Sequence, residues 1–167
     1  MHPNQQLIVQ FFQCFVGGDY KGMQKCLHSD VEFTDIGFDL RGKQVSAMWQ
    51  MICEKGIRVM YRNPLADDRE GSVEWECNYD FKKEETSTPR PVHNVITTRF
   101  RFENGLIREQ HDTCDFHQWA QQALGIITPI LELFGNITFH KDLIHEKVRA
   151  AAKQKIDAFI VLHADYS

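Results

Sequence analysis

The stretch that decides the fold is residues 91–114, PVHNVITTRFRFENGLIREQHDTC. Apolar and polar residues alternate on both sides of Asn104-Gly105. An Asn-Gly pair between two alternating runs is the strongest short-range signal of a two-residue hairpin turn. The stretch therefore predicts two antiparallel strands, residues 91–102 and residues 106–114.

Two earlier strands extend this hairpin into a meander. Residues 57–65 form a run of strand character, and the turn-rich residues 66–71 follow it. Residues 72–83 then alternate cleanly, because every second position carries a large apolar side chain. These positions are Val73, Trp75, Cys77, Tyr79 and Phe81. Four consecutive antiparallel strands are the simplest topology for such a sequence.

The N-terminal third of the chain predicts three helices and one more strand. A first helix, residues 7–15, ends at Gly17-Gly18, as a left-handed C-terminal cap requires. A second helix covers residues 20–28, a strand covers residues 31–35, and a third helix covers residues 41–55. The element order predicts an α+β fold in which a curved antiparallel sheet wraps around three helices. Such a sheet is cone-shaped, and its open end is a natural pocket.

Residues after the last strand predict a helical extension. Residues 115–125 read as a short helix that closes a cone domain of residues 1–125. The remaining residues, 126–167, contain an apolar run and then an amphipathic helix over residues 141–163. We expect this extension to pack on the same domain or on a partner subunit. Its segment 126–134 is a candidate lid over the mouth of the cone.

Composition excludes several classes of function. The chain has 167 residues, a net charge of −4 and no patch rich in Lys and Arg, which disfavours nucleic-acid binding. No secretory signal and no apolar run long enough for a bilayer are present, so no membrane association is expected. The five cysteines are never spaced as C-x-x-C, which favours reduced thiols in a cytoplasm over disulfides or a metal site. The sequence contains no Gly-rich phosphate-binding loop, so no cofactor is expected.

Two aspartates are the candidate catalytic residues, because both are expected to face the pocket from different strands. Asp35 ends the strand of residues 31–35, and Asp112 lies near the end of the last strand. Two carboxyls in apolar surroundings acquire different pKa values, which lets one site hold an acid and a base. Each has a structural alternative: Asp35 as the cap of the turn that follows it, and Asp112 as a buried carboxyl held by neighbours. A one-residue slip would turn Asp112 outward and His111 inward.

Several runs in this order resemble the nuclear transport factor 2-like superfamily, and within it the SnoaL-like and ketosteroid isomerase-like proteins. The runs are the Gly17-Gly18-Asp19 helix end, SDVEFTD at residues 29–35, LRG at residues 40–42, FRFENGLI at residues 100–107 and DTCD at residues 112–115. The resemblance implies a cystatin-like cone. It also implies a homodimer that pairs through the outer sheet face, here carrying Thr97, Arg99, Glu109 and His111.

The resemblance also implies roles for individual residues. Asp35 falls on the catalytic base of ketosteroid isomerase, but Phe11 and Thr98 occupy the places of its oxyanion donors. A steroid isomerase with that mechanism is therefore not expected, because stabilisation of the oxyanion is often the largest catalytic contribution. Asp112 resembles one catalytic aspartate of limonene epoxide hydrolase. It also lies near the acid/base aspartate of SnoaL-like cyclases.

The sequence thus predicts a protein that binds a small apolar molecule, with Asp35 and Asp112 as acid and base. The reaction class stays open between a cofactor-independent isomerase, cyclase, dehydratase and epoxide hydrolase. Candidate substrate contacts on the pocket face are Trp49, Trp75, Tyr79, Asn94, Thr98 and Gln110. The alternative is a non-catalytic ligand-binding or accessory protein, and a third possibility is a scaffold like nuclear transport factor 2 itself.

Overall fold

Six strands and five helices make up the parts of the chain that the structure describes. The computed structural model covers residues 1–82, 86–125, 137–163 and 166, with residue 124 and residues 137–145 described by their backbone alone. The helices are α1 (Pro3–Val16), α2 (Tyr20–Lys25), α3 (Lys43–Glu54), α4 (Phe116–Leu124) and α5 (Ile137–Leu162). The strands are β1 (Leu27–Thr34), β2 (Asp39–Arg41), β3 (Arg58–Ala66), β4 (Glu70–Phe81), β5 (Arg90–Glu103) and β6 (Leu106–Cys114).

The strands form one curved, unclosed sheet in the order β2-β1-β6-β5-β4-β3. The predicted meander is confirmed, since β3 to β6 pair antiparallel in sequence order. Its last turn has positive φ at both central residues, 52° at Asn104 and 75° at Gly105, as a type I′ hairpin turn requires. The first strand departs from the antiparallel expectation, because β1 runs parallel to β6.

The helices α1, α2 and α3 cover the inner face of the sheet, which confirms the predicted cone. Trp49 of α3 is 1% exposed and lies among aromatic rings from two other elements. Its ring centroid is 5.4 Å from Phe11 and 5.0 Å from Phe15 of α1, and 5.7 Å from Phe33 of β1. Each such side chain contributes roughly 1.5–3 kcal/mol through burial. This aromatic cluster holds the helices against β1 and thereby fixes the position of the strand that leads to Asp35.

One helix boundary and one short strand differ from the sequence prediction because of strand pairing. The second helix was expected to reach residue 28, but α2 ends at Lys25 because Leu27 already pairs with Ile107 of β6. The short strand β2 was not predicted. It has only three residues, too few for a pattern of alternation to be visible, and it forms by pairing with the end of β1.

The C-terminal helix α5 packs on α3 and on the turn after β1. Ile156 is 1% exposed and belongs to the main apolar core, and Asp157 Oδ1 accepts a hydrogen bond of 2.8 Å from Gln44 Nε2. The candidate lid, residues 126–134, lies outside the described residues. The division into residues 1–125 and 126–167 stays a prediction. No described helix is long and apolar enough to cross a membrane.

Candidate functional site

The register between β5 and β6 decides which side chains face the helices. Thr98 pairs with Asp112, and Arg99 pairs with His111. Because neighbouring residues of a strand point to opposite faces, Asp112 lies inside and His111 lies outside. Thr98 is 0% exposed and Asp112 is 6% exposed, whereas His111 is exposed and contacts Thr34 on the outer face.

A directed chain of hydrogen bonds ends on the carboxyl of Asp112. Trp75 Nε1 donates to Thr98 Oγ1 at 2.8 Å, and Thr98 Oγ1 donates to Asp112 Oδ1 at 2.6 Å. An indole nitrogen only donates, so the hydroxyl of Thr98 has to accept from Trp75 and is free to donate to the carboxyl. When Asp112 is ionised the chain has one direction, because a carboxylate oxygen only accepts.

The two carboxyl oxygens of Asp112 differ in their partners. Gln110 Nε2 is the second donor to Oδ1, at 3.3 Å. Within the described parts of the chain, Oδ2 has no hydrogen-bond partner, which leaves it available to a ligand. Burial is the main cause that raises the pKa of Asp112 to about 7, and the negative charge of Asp35 adds to the rise. The Thr98 and Gln110 donors oppose it, because they stabilise the ionised form.

Asp35 reaches the site from the turn that follows β1. Its Oδ1 accepts from the backbone N–H of Gly37 at 2.7 Å and of Phe38 at 2.6 Å, and its own N–H donates to the carbonyl of Phe38 at 3.0 Å. This is the turn-capping role that the sequence offered as an alternative. It uses only one carboxyl oxygen, and among the described groups none is bonded to Oδ2.

Burial raises the pKa of Asp35 to about 6, against the opposing effect of the two backbone donors and of the nearby Arg149. The residue as a whole keeps some access to solvent, but its carboxyl lies among protein groups. The two backbone donors and Arg149 favour the ionised form of Asp35. The charge of an ionised Asp35 opposes the ionisation of Asp112, so the two carboxyls titrate as a coupled pair.

Tyr79 adds an uncharged donor to this side of the sheet. Its hydroxyl oxygen accepts a hydrogen bond of 2.8 Å from Trp119 Nε1 of α4. The hydroxyl hydrogen is thus free to be donated elsewhere. Burial raises the pKa of Tyr79 to about 12, and the charge of Asp35 is among the smaller causes. The phenol remains neutral in the physiological range, as a hydrogen-bond donor to an oxygen must.

The other predicted contact residues lie at different depths. Asn94 is half-buried on β5 and hydrogen-bonds the thiol of Cys114, whose pKa burial raises. Trp49 and Gln110 are each 1% exposed, and each has one buried polar atom without a partner among the described residues, Nε1 of Trp49 and Oε1 of Gln110. Their contact with a ligand, like that of Trp75, Asn94 and Thr98, stays a prediction.

Two residues beside the site were not found by sequence reasoning, namely Trp119 and Arg149. Trp119 follows a helical pattern that gives no indication of its bond to Tyr79. Arg149 lies more than a hundred positions from Asp35, whose carbonyl oxygen it contacts. The alternation of β4 predicted that Tyr79 faces inward, and the amphipathic pattern of residues 141–163 predicted that the helix carrying Arg149 has a packed face.

The arrangement is suited to proton transfer. Asp35 and Asp112 each have Oδ1 fixed by two donors, each have Oδ2 free of described partners, and each have a pKa that burial raises toward neutral pH. Among the described residues, no three His, Cys, Asp or Glu side chains have the arrangement of a metal site.

Solved structures with the same fold come from several bacteria. A proposed polyketide cyclase of Xanthomonas campestris pv. campestris superposes with a TM-score of 0.60 at 17% identity, over 72% of this chain and 96% of its own. An LEH-like epoxide hydrolase of M. tuberculosis superposes with a TM-score of 0.58 at 15% identity, over 78% and 96%. A proposed polyketide cyclase of Silicibacter sp. gives 0.59 at 20% identity, over 71% and 93%. These likenesses establish the shared fold.

Comparison with protein families assigns most of the chain. A search of curated proteins found no match. The model of the SnoaL-like domain matches residues 8–110, from the first helix to the last strand. This match shows that the chain belongs to the SnoaL-like family.

Proposed function

We propose that this protein is a cofactor-independent acid–base catalyst that acts on a small apolar molecule bound on the inner face of the sheet. The observation that carries the proposal is the pair of carboxyls Asp35 and Asp112. Both are fixed through Oδ1, both leave Oδ2 free of described partners, and their pKa values are raised to about 6 and about 7. Groups poised near neutral pH are the most effective proton carriers.

The difference between the two carboxyls assigns their roles. In the proposed reactive state Asp35 is ionised, because two backbone donors and Arg149 favour its charged form, and Asp112 is neutral, because the charge of Asp35 opposes its ionisation. Asp35 Oδ2 takes a proton from a substrate carbon or from an attacking water. Asp112 Oδ2 gives its proton to the substrate oxygen that gains negative charge, and Tyr79 donates a hydrogen bond to the same oxygen. The pair returns to its starting state when Asp35 loses and Asp112 regains a proton, directly or through water.

The reaction class depends on which proton the base removes. Removal of a C–H proton beside a carbonyl leads to isomerisation, cyclisation or dehydration, and activation of water leads to opening of an epoxide. The proposed polyketide cyclases and the epoxide hydrolase that share the fold represent both branches. We propose Trp75, Asn94 and Tyr79 as the primary substrate contacts, because they stand on β4 and β5 on the same side as Asp112.

Two wider expectations accompany this function. We propose a homodimer through the outer sheet face, where Thr97, Arg99 and His111 are exposed side chains. We also propose a cytoplasmic location, which is supported by the free thiols of all five cysteines.

A non-catalytic binding protein is the second candidate, and two positions favour it. Phe11, at the place of one oxyanion donor in ketosteroid isomerase, is 0% exposed and packs edge-on against Trp49. Thr98, at the place of the other, already donates to Asp112. A site without these donors stabilises an enolate less well, although it binds an apolar ligand equally well.

A panel of small enolisable ketones and apolar epoxides tests the proposal. Wild type and the double variant Asp35→Asn, Asp112→Asn are incubated with each compound in D₂O and in ¹⁸O-water. Deuterium incorporation or epoxide opening by the wild type, reduced by about 10²–10⁴-fold in the double variant, is the expected result. Equal rates in the two proteins would contradict the proposed roles. Binding of a compound without any turnover would favour the second candidate.

A further inference from the structure

The C-terminal helix α5 contacts the backbone of the catalytic turn directly. Arg149 Nη2 donates to the carbonyl oxygen of Asp35 at 2.6 Å, and Arg149 Nε donates to the same oxygen at 3.2 Å. Two N–H groups of one rigid guanidinium thus hold one oxygen. A charged donor forms a hydrogen bond roughly twice as strong as a neutral one.

Other contacts of α5 fix the position of the helix, and so of Arg149, relative to the turn. A methyl group at Gly37 would lie 3.9 Å from Cγ1 of Val148, so the helix packs closely over the turn at this point. Further along α5, Asp157 is bonded to Gln44 of α3, and Ile156 is buried in the core. The guanidinium is therefore presented by a helix that is packed at the contact itself and anchored on its C-terminal side.

The turn that Arg149 holds is the one that orients the carboxyl of Asp35. The N–H groups of Gly37 and Phe38 fix Oδ1 within this turn. A shift of the Asp35 carbonyl would rotate the same residue and move its carboxyl. Misplacement of a reacting group by about 1 Å is enough to cost about 10²-fold in rate.

The charge of Arg149 acts on the same carboxyl. The positive guanidinium favours the ionised form of Asp35 and holds its pKa below the value that burial alone would give. The other titratable groups that interact with Asp35 are Asp112 and Cys114 of β6 and Tyr79 of β4. Among these interacting groups Arg149 carries the positive charge. It belongs to a helix that lies outside residues 8–110, which match the family model.

We propose that Arg149 is a positioning residue, through which the C-terminal helix completes the acid–base site by fixing the turn that presents Asp35. The inference rests on the proposed function for its catalytic meaning. The structural part, that α5 sets the geometry of Asp35, stands on the contacts themselves.

Three variants separate the contribution of geometry from that of charge. Arg149→Met removes both, and Arg149→Lys keeps the charge but lacks the planar fork that bonds one oxygen twice. Lys147→Met is the matched control, because it removes one positive charge from an exposed position of the same helix. For each protein, ¹³C NMR gives the pKa of Asp35, and hydrogen exchange gives the protection of the Gly37 and Phe38 amides.

The expected results differ between the variants. Arg149→Met raises the pKa of Asp35 above about 6 and makes both amides exchange at least about tenfold faster, which corresponds to a loss of about 1.4 kcal/mol. Arg149→Lys restores the pKa but only part of the protection. Lys147→Met matches the wild type in both measurements. Unchanged protection and an unchanged pKa in folded Arg149→Met would overturn the proposal.

Neither measurement needs a substrate, so the inference and the proposed function fail separately. If the NMR and exchange results follow Arg149 but no compound is turned over, α5 positions Asp35 and the assigned chemistry is wrong. If turnover is found and falls in Asp35→Asn but not in Arg149→Met, the chemistry is right and the role of Arg149 is wrong.

Discussion

Two turns of this molecule have nearly the same hydrogen bonds and opposite electrostatics. Oδ1 of Asp35 accepts from the amides two and three residues ahead at 2.7 and 2.6 Å, and Oδ1 of Asp67 does the same at 2.8 and 2.8 Å. The backbone N–H of each aspartate donates to the carbonyl three residues ahead. The carbonyl oxygen of each aspartate also accepts a hydrogen bond from a helix, from Arg149 of α5 for Asp35 and from Asn4 of α1 for Asp67.

The pKa values of the two carboxyls nevertheless move in opposite directions. The backbone donors lower the pKa of the exposed Asp67, whereas burial outweighs the same donors and raises the pKa of Asp35 to about 6. The turn therefore fixes the position of the carboxyl, and the burial around it determines the direction in which its pKa moves. Asp67 serves as an internal control, because it shares the local geometry of Asp35 without the burial.

The largest difference between the two turns is expected in catalysis. Asp35→Asn keeps the turn, since an amide oxygen accepts the same backbone bonds, but it removes the base. We expect turnover of a substrate found in the panel to fall about 10²–10⁴-fold. Asp67→Asn makes the same chemical change in the same local geometry and is expected to leave turnover unchanged. Similar losses in both variants, measured as kcat/KM, would mean that the turn itself matters and the buried carboxyl does not.

The stability of the protein should respond with opposite sign to the loss of the buried carboxyl of Asp112 and to the loss of the exposed carboxyl of Asp67. The pKa of Asp112 is raised in the folded state to about 7, against about 3.9 when unfolded. Its favourable contribution is thus complete below the unfolded value and is lost as the pH rises through the folded value. Asp112→Asn is expected to increase the free energy of unfolding at pH 8, on the order of a few kcal/mol. The increase should shrink toward pH 5.

Urea denaturation at pH 5 and pH 8 measures the effect of Asp112, and denaturation at a pH below the ordinary Asp value of about 3.9 measures the effect of Asp67. Asp67→Asn supplies the opposite sign, because the lowered pKa of Asp67 gives the wild type a contribution that is present above the unfolded value and lost in acid. This variant should be less stable than the wild type at pH 8 and lose that disadvantage in acid. An Asp112→Asn protein that is destabilised at pH 8 would show that the ionised carboxyl has favourable partners in the fold.

The sequence carried enough information to find the scaffold and one carboxyl. Asn104-Gly105 and the alternation around it predicted the last hairpin, and the same alternation placed Asp112 inside, where it lies. The turn-capping role of Asp35 was also foreseen, from its position before Gly37. These features depend on neighbours within a few residues, which a single sequence displays directly.

Other features depend on contacts between distant segments and were out of reach. Arg149 and Asp35 are separated by 114 positions. The chain from Trp75 through Thr98 to Asp112 depends on the register of three strands. The apolar neighbours Ile36 and Phe38 distinguish the turn of Asp35 from the charged turn of Asp67, but the packing of α5 over the first turn is not visible in the local sequence.

The pH dependence of catalysis should show both members of the pair. Activity needs Asp35 ionised and Asp112 neutral, so kcat/KM is expected to rise as the pH passes about 6 and to fall above about 7. Each limb changes about tenfold per pH unit away from the optimum. Asp67→Asn should leave the profile in place. A flat profile from pH 5 to pH 9 would contradict the assignment of the two carboxyls.

The smallest effect concerns the hydrogen-bond chain behind Asp112. Thr98→Val removes the donor that favours the ionised carboxyl, so the pKa of Asp112 should rise further and the alkaline limb should move up. The variant also leaves the buried Trp75 N–H unpaired, which costs about 1–3 kcal/mol of stability. Thr98→Ser keeps the hydroxyl and serves as the control. If the alkaline limb lies at the same pH in Thr98→Val and Thr98→Ser, the hydrogen-bond chain does not affect the pKa of Asp112.

The most direct test of burial as the deciding factor is a ¹³C NMR titration of the carboxyls of Asp35 and Asp67 in one sample. The two turns share their hydrogen bonds, so any difference in pKa reports the surroundings. We expect Asp35 to titrate at about 6 and Asp67 below its usual range. Titration of both carboxyls together, near the ordinary value of about 3.9, would show that Asp35 is only a turn cap and would remove the basis for the proposed chemistry.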